Sequence, residues 1–250
     1  MLSLRVRALS ASLAAVVVLS GCGKTATVVS PEWGTPKEAL AAALEKLSEG
    51  FDYIANVQAA TGQEAVNGSE IPGEDKLSIV SKDASATAVT RSVQIGDELW
   101  LKYEGIGDFP EEWGHLATGG EVFASGAGMI GPATWLPAFA EEIVEIERTG
   151  PLLFSGTLDL DAVDPQKTGI ASYRLDSVDN ADEVAFEVNI GKDGYIEHFE
   201  YTLEGPDGDL AMVYNFSAHG AATDVVAPTG EITELTPETM IDWLFGDLGE

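Results

Sequence analysis

Cysteine is almost missing from this chain: of 250 residues, Cys22 is the single one. An internal disulfide is excluded, so burial and hydrogen bonding must hold the fold. Positive charge is scarce too. Only 13 Lys and Arg stand against 42 Asp and Glu, giving a formal net charge of −29. Such a surface is repelled by nucleic acid and by anionic lipid headgroups, and no basic cluster overturns this. Nucleic acid is thus excluded as a partner. A long apolar run is also lacking. The stretch from Ala8 to Leu19 carries no charge but falls short of the roughly 20 residues of a membrane-spanning helix. Val122 to Ala140 is largely apolar, yet Gly126, Gly128, Gly131, Pro132 and Pro137 break it.

What the first residues do contain is an export signal. Arg5 and Arg7 precede the apolar run, and small residues follow it up to Cys22. Leu19-Ser20-Gly21-Cys22 resembles the lipobox of bacterial lipoproteins at every position of that motif. The resemblance implies a signal peptide over 1–21 and a diacylglyceryl thioether on Cys22, which becomes the first residue of the mature chain. A free thiol that merely follows a cleaved signal is the plainer alternative. It leaves both the rarity and the position of Cys22 without a reason. Two acyl chains anchor a protein stably where one is marginal, since each buried methylene adds about 0.8 kcal/mol.

Removal of 1–21 leaves 229 residues with 11 basic and 42 acidic side chains, a net charge of −31. With 45% apolar residues overall, one generous domain can bury a core. Residues 22–35 read as the lipidated terminus and a tether, broken by Pro31 and Gly34. Residues 23–35, fully extended, reach roughly 45 Å, so the domain stays near the membrane.

Thr35-Pro36-Lys37-Glu38 opens a helix: Thr35 caps, Pro36 suits the first position and Glu38 completes a capping box. Leu40, Leu44 and Leu47 share one face, and Gly50 ends the element. From Phe51 the period becomes two, with Phe51, Tyr53, Ala55, Val57 and Ala59 on one side and Ile54 the apolar exception on the other. Residues 61–76 read as a loop rich in Gly, Glu and Asn. Val89, Arg91, Val93 and Ile95 alternate up to a Gly96-Asp97 hairpin. Leu99, Leu101 and Tyr103 then take one side, Trp100 and Lys102 the other.

Residues 105–137 read first as a long connection packed on the core, and second as a mobile apolar flap over a cavity. Residues 138–147 fit a helix that stops before Gly150. The rest reads as a β-meander, with strands at Phe154 to Leu160 and Ser172 to Val178 and a third built on Val184, Phe186, Val188 and Ile190. After a turn at Asp193-Gly194, Tyr195, Phe199, Tyr201 and Leu203 face one way. After Asp207-Gly208, Leu210, Met212, Tyr214 and Phe216 line one face. Such alternation between tight turns specifies an antiparallel sheet with one covered face. Residues 231–250 form an acidic tail with a short amphipathic helix starting at Thr236-Pro237.

Chemistry is hard to find. His115, His198 and His219 lack the short spacing of a zinc site, and the cysteine is already used. Asp159, Asp161 and Asp164 suggest calcium, but Val163 and Asp164 occupy positions where a calcium loop needs an oxygen ligand and a glycine. Ser125-Gly126-Ala127-Gly128 lacks the lysine of a phosphate loop, and no nucleophile elbow is present. No motif requires a metal or cofactor, and none makes a case for an enzyme.

The order of elements resembles the LolA-like lipoproteins, and within them the LppX/LprG type of actinobacterial envelopes. The residues that carry it are the capped helix at 36, Val93 to Lys102, Phe154 to Asp159, Ile190 to Ile196, Tyr214 to Gly220 and Val225 to Pro228. These are patterns of strand and turn over about residues 36–230. The resemblance implies an α+β fold, a curved antiparallel β half-barrel with helices over the concave face. It also implies an apolar cavity that holds acyl chains in several members. Under that reading Phe186, Tyr201, Met212, Tyr214 and Phe216 line the cavity; ordinary core packing is the alternative for each. The function expected is a lipoprotein on the extracytoplasmic face of the cell membrane that binds or carries a lipid or other amphiphile. An interaction module of the same fold, docking an envelope protein, is the competing expectation.

Cys22→Ser is expected to abolish incorporation of radiolabelled palmitate and to leave the chain uncleaved or soluble. Label that persists in the variant would place the anchor elsewhere.

Overall fold

A computed structural model describes residues 33–59, 62–83, 88–105, 110–117, 136–161, 178–206, 208–236 and 239. The signal, Cys22 and most of the tether lie outside these residues, as do 118–135, all but the last residue of the strand expected from Ser172 to Val178, and most of the acidic tail with its expected helix.

Helix α1, Pro36–Glu45, starts as its sequence demands. The Glu38 amide donates to Thr35 Oγ1 at 3.3 Å, and the Thr35 amide donates back to Glu38 Oε2 at 2.8 Å. Ala39, Leu40, Ala43 and Leu44 are buried, and Leu47 joins them from a 3₁₀ turn at Lys46–Glu49. Gly50 adopts φ +91°, which turns the chain directly from helix into sheet. Trp33, expected at the end of the tether, instead packs on Phe154 with ring centroids 5.9 Å apart, under the guanidinium of Arg148.

Twelve strands among the described residues form one sheet. The first six run β1 Phe51–Ala59, β2 Gly62–Ile71, β3 Lys76–Asp83, β4 Val89–Ile95, β5 Glu98–Glu104 and β6 Trp113–Leu116. Each pairs antiparallel with the next, moving outward from β1. The short helix α2, Leu136–Phe139, leads to the far edge. There β7 Ile143–Arg148, β8 Leu153–Leu158, β9 Val184–Ile190, β10 Ile196–Leu203 and β11 Leu210–Ser217 step back inward. The two runs meet where β11 pairs antiparallel with β1. A final strand, β12 Ile232–Leu235, lies parallel to β6 on the opposite edge. The sheet is open and curved, with β7 and β12 at its two ends.

The register keeps one inner face across the whole sheet. One row runs Phe216, Tyr53, Gly68, Ile79, Ser92, Leu101; another runs Gly156, Phe186, Tyr201, Met212, Val57. Helix α1 buries its apolar side on this face, and the Lys37 ammonium donates to the Ile143 carbonyl at 3.4 Å. At the other end of α1, Lys46 sits 4.4 Å over the Tyr195 ring and donates to the Asp193 carbonyl at 2.5 Å.

The outer face is crossed by a strap, residues 218–231, that carries the chain from β11 to β12. The Thr223 amide and hydroxyl donate to the Asp52 carboxylate at 2.8 and 2.7 Å. Val225 is buried against Val93 and Trp100, and the Trp113 amide donates to the Glu231 carbonyl at 3.1 Å. This explains why Trp100, on the opposite side from Leu99 and Leu101, is also covered.

Several expectations are corrected. The loop at 61–76 is strand β2 and a 3₁₀ turn at Pro72–Glu74. Its alternation is masked because the inner positions hold Glu64, Gly68 and Glu70 beside Val66. Gly68 is required there: a Cβ would lie 2.1 Å from the Tyr53 ring. The helix at 138–147 is α2 followed by strand β7, whose Ile143-Val144 pair favours extended backbone. Part of the connection at 105–137 is strand β6. Tyr195 does not share the inner face of β10, because a bulge between Ile196 and His198 turns Ile196 inward instead. The sheet continues past residue 230 to take in β12.

Gly68→Ala is expected to cost roughly 1–3 kcal/mol or more by overpacking, read from urea unfolding, and Tyr53→Phe, which keeps the ring, should not rescue it. A second test concerns the strap. Partial burial works to raise the pKa of Asp52, but the Thr223 amide, the Thr223 hydroxyl and the Ser69 hydroxyl outweigh it and hold the carboxyl below its ordinary range. A lowered folded-state pKa adds stability that is fully present above the unfolded value and lost as pH falls through the folded one. Asp52→Ala should therefore cost about 1 kcal/mol near neutrality, a modest figure because the pair is exposed. The deficit should vanish as the solution is acidified through and below the ordinary aspartate range.

Candidate functional site

The five residues expected to line a cavity all lie on the inner face, on β9, β10 and β11. Phe186, Tyr201, Met212, Tyr214 and Phe216 are 4–7% exposed and belong to one cluster. Phe186 stacks on Phe199 with centroids 5.7 Å apart, and Tyr214 stacks on Phe216 at 6.1 Å. Phe139 of α2 stands edge-on to Tyr201 at 5.8 Å. The structure brings all five together, and Tyr53 of β1 joins them 6.2 Å from Tyr214.

Within this apolar face lies a polar patch. Glu70 of β2 is 2% exposed, the one buried carboxylate among the described residues. Tyr53, Tyr201 and Tyr214 are its phenolic neighbours or share its surroundings. Tyr53 is pushed well above the usual tyrosine range by burial first, then by the negative charge of Glu70. Tyr214 is pushed up in the same way, by burial, by Tyr201 and by Glu70. Tyr201 rises through burial and is partly relieved by its hydrogen bond with Tyr214. The Tyr53 hydroxyl is buried beside Glu70, whose hydrogen bond also favours the neutral phenol. All three phenols therefore keep their protons at any physiological pH. Neutral phenols beside a carboxylate can hold a polar group, and they supply no nucleophile.

Neither Tyr53 nor Glu70 was legible as a site residue. Glu70 lies in a stretch whose composition is that of a loop, and Tyr53 has the pattern of one more apolar position. The available signal was the register of Glu64, Val66, Gly68 and Glu70 at every second residue before the Pro72-Gly73 turn.

The other candidates stay apart. His115 lies on β6, not in a loop, stacked 4.7 Å from Trp100 with Nδ1 2.7 Å from Glu234. His198 contacts Asn215 and Glu200 on the outer face. His219 stacks on Tyr195 at 4.5 Å, and burial lowers its pKa. The Asp159 amide donates to the Glu142 carbonyl, and Asp164 lies outside the described residues. Among the described residues no group of His, Cys, Asp and Glu is arranged to hold a metal ion, and no helix is long and apolar enough to cross a membrane.

Comparison with models of known families finds no match, and neither does comparison with curated protein sequences. Solved structures do show likeness. The lipoprotein LppX of Mycobacterium tuberculosis is 11% identical, with 76% of this chain and 97% of that one covered and a TM-score of 0.45. A chain of the MucA/MucB complex of Pseudomonas aeruginosa is also 11% identical, with 78% and 58% covered and a TM-score of 0.34. The hypothetical protein CT021 from Chlamydia trachomatis is 9% identical, with 79% and 98% covered and a TM-score of 0.28. Identity and superposition are both too low to carry a ligand or partner across to this chain.

Proposed function

We propose that this chain is a lipoprotein, held through Cys22 at the extracytoplasmic face of the cell membrane, that binds an amphiphile against the inner face of its half-barrel. Phe186, Tyr201, Met212, Tyr214 and Phe216 form the apolar wall. Tyr53 and Glu70 provide the polar end. Residues 22–32 link the anchor to Trp33, where the packed domain begins. The chain acts by binding and carries out no reaction.

The observation that supports this reading is the polar patch itself. Taking a carboxyl and three phenols out of water costs free energy that an all-apolar core avoids. A ligand site has use for them. Such sites combine apolar and aromatic walls with a few convergent polar groups.

The test uses the domain without residues 1–22, purified free of detergent and extracted for mass spectrometry of bound lipid. A co-purifying amphiphile is expected, together with uptake of the uncharged dye Nile red. Phe186→Ala should weaken dye binding while costing less than the roughly 3–5 kcal/mol of a phenylalanine removed from a solid core. No extracted lipid, no dye uptake and a full-sized stability loss would instead favour an interaction module that docks an envelope protein.

A further inference from the structure

We propose that the outer face carries a second site, a groove between the strap and strands β3–β5 that takes a small organic carboxylate, one apolar ring with one negative head. This site is separate from the inner face and does not depend on what that face binds.

Cations that are scattered along the chain are gathered there by the register. Eight Lys and Arg lie among the described residues, and four of them, Lys76, Lys82, Arg91 and Lys102, stand on the outer side of β3, β4 and β5. Arg91 lies between Val80 and Lys102 in the register, and Lys82 is its diagonal neighbour. Among the described residues the only carboxylates on the outer side of these three strands are Glu98 and Glu104, at the two ends of β5. The opposite wing has the reverse composition, and Glu187 faces Glu200 there across β9 and β10. The net charge of −29 keeps polyanions and anionic surfaces away. A small anion escapes that limit, because charges beyond about 8 Å are largely screened at physiological ionic strength and the nearby cations govern.

The groove has a volume of about 300 Å³, the size of a small-molecule site. Val80 and Val93 supply its sheet side, Val226 and Pro228 its strap side, and Trp113 an aromatic surface. Val226 is 63% exposed, an apolar side chain left in water at the rim. The strap is tied down on both sides of this stretch, by Thr223 on Asp52 and by the Trp113 amide on the Glu231 carbonyl, so the groove is formed before any ligand arrives. Its charged group is Arg91. Arg91 donates from Nε to Glu104 Oε1 at 3.1 Å, and Lys102 Nζ stands 3.9 Å from the same oxygen. Two cations share one carboxylate, which leaves one positive charge over and the Nη edge of the guanidinium for a ligand. That balance suits a single negative charge, and the planar fork of an arginine fits a carboxylate. A dianionic phosphate would bring a second charge towards Glu104.

The experiment titrates the full chain by calorimetry with 2-naphthoate, its neutral counterpart 2-naphthamide, and 2-naphthyl phosphate, at a mildly alkaline pH where the phosphate is a dianion. The carboxylate should bind to one site at least about tenfold more tightly than the amide, the size of one hydrogen-bonded charge pair, and more tightly than the phosphate. Arg91 is partly exposed, so its replacement should spare the fold. Arg91→Gln should bring 2-naphthoate down to the level of the amide with an unchanged unfolding midpoint. Glu104→Gln should tighten the carboxylate, and Trp113→Leu should weaken carboxylate and amide alike. Phe186→Ala, on the inner face, should leave 2-naphthoate binding as it is. No binding of 2-naphthoate by the native chain, an amide or phosphate that binds as well, or native affinity in Arg91→Gln overturns the proposal. Loss of 2-naphthoate binding in Phe186→Ala with native affinity in Trp113→Leu would place the ligand on the inner face and overturn it as well.

Discussion

The pairing of β1 with β11 is the seam on which the sheet depends. Residues 51–104 build outward from β1 by neighbouring hairpins, and residues 143–217 build inward from the far edge. In the sheet order these two runs touch only where Asp52 to Gln58 meets Ala211 to Ser217. The partners are more than 150 positions apart in the chain, so closing the seam costs loop entropy that only long-range contacts can offset. Those contacts are aromatic. Phe51, Tyr53, Tyr214 and Phe216 interlock across the seam with centroids between 5.5 and 6.4 Å apart. With no disulfide available, this packing and the ladder beneath it do the joining.

The polar patch straddles the same seam. Tyr53 stands on one side, Tyr214 and Tyr201 on the other, and Glu70 one strand further. The joint between the two runs therefore carries polar groups as well as rings. A sheet held here by apolar contacts alone would be simpler to stabilise. A buried carboxyl at this place weakens the joint unless its neighbours offset the cost of its burial, and Tyr53 is one of them.

Much of the fold was legible in the sequence because the periods are clean. The capping box, the Leu40-Leu44-Leu47 face and the strands from Phe51 and Leu210 each agree in propensity, pattern and turn chemistry. Where the reading failed, a local rule was overridden by packing. β2 does not look like a strand because Gly68 yields its side-chain volume to Tyr53 and Glu70 puts a carboxyl group in the core. β7 does not look like one because Glu145 and Glu147 interrupt its apolar residues at an edge that faces solvent on one side. β12 is short and lies parallel to β6 only because the strap delivers it there, a tertiary event with no local signal. The aromatic wall of the site was visible as alternating rows. Its polar end was hidden in the one inner strand whose alternation is least apolar.

An open sheet has an obligation that a closed barrel escapes. Each end strand presents unpaired amides and carbonyls, and two such ends on different molecules can zip together. On one side the sheet ends with the short strand Ile232–Leu235. On the other it sets exposed Glu145, Glu147 and Arg148 along β7, beside an exposed Val144 that would otherwise invite a neighbour. The surplus of carboxylates noted at the outset then has a mechanical meaning. Molecules brought edge to edge meet with like charges facing, which opposes pairing between them.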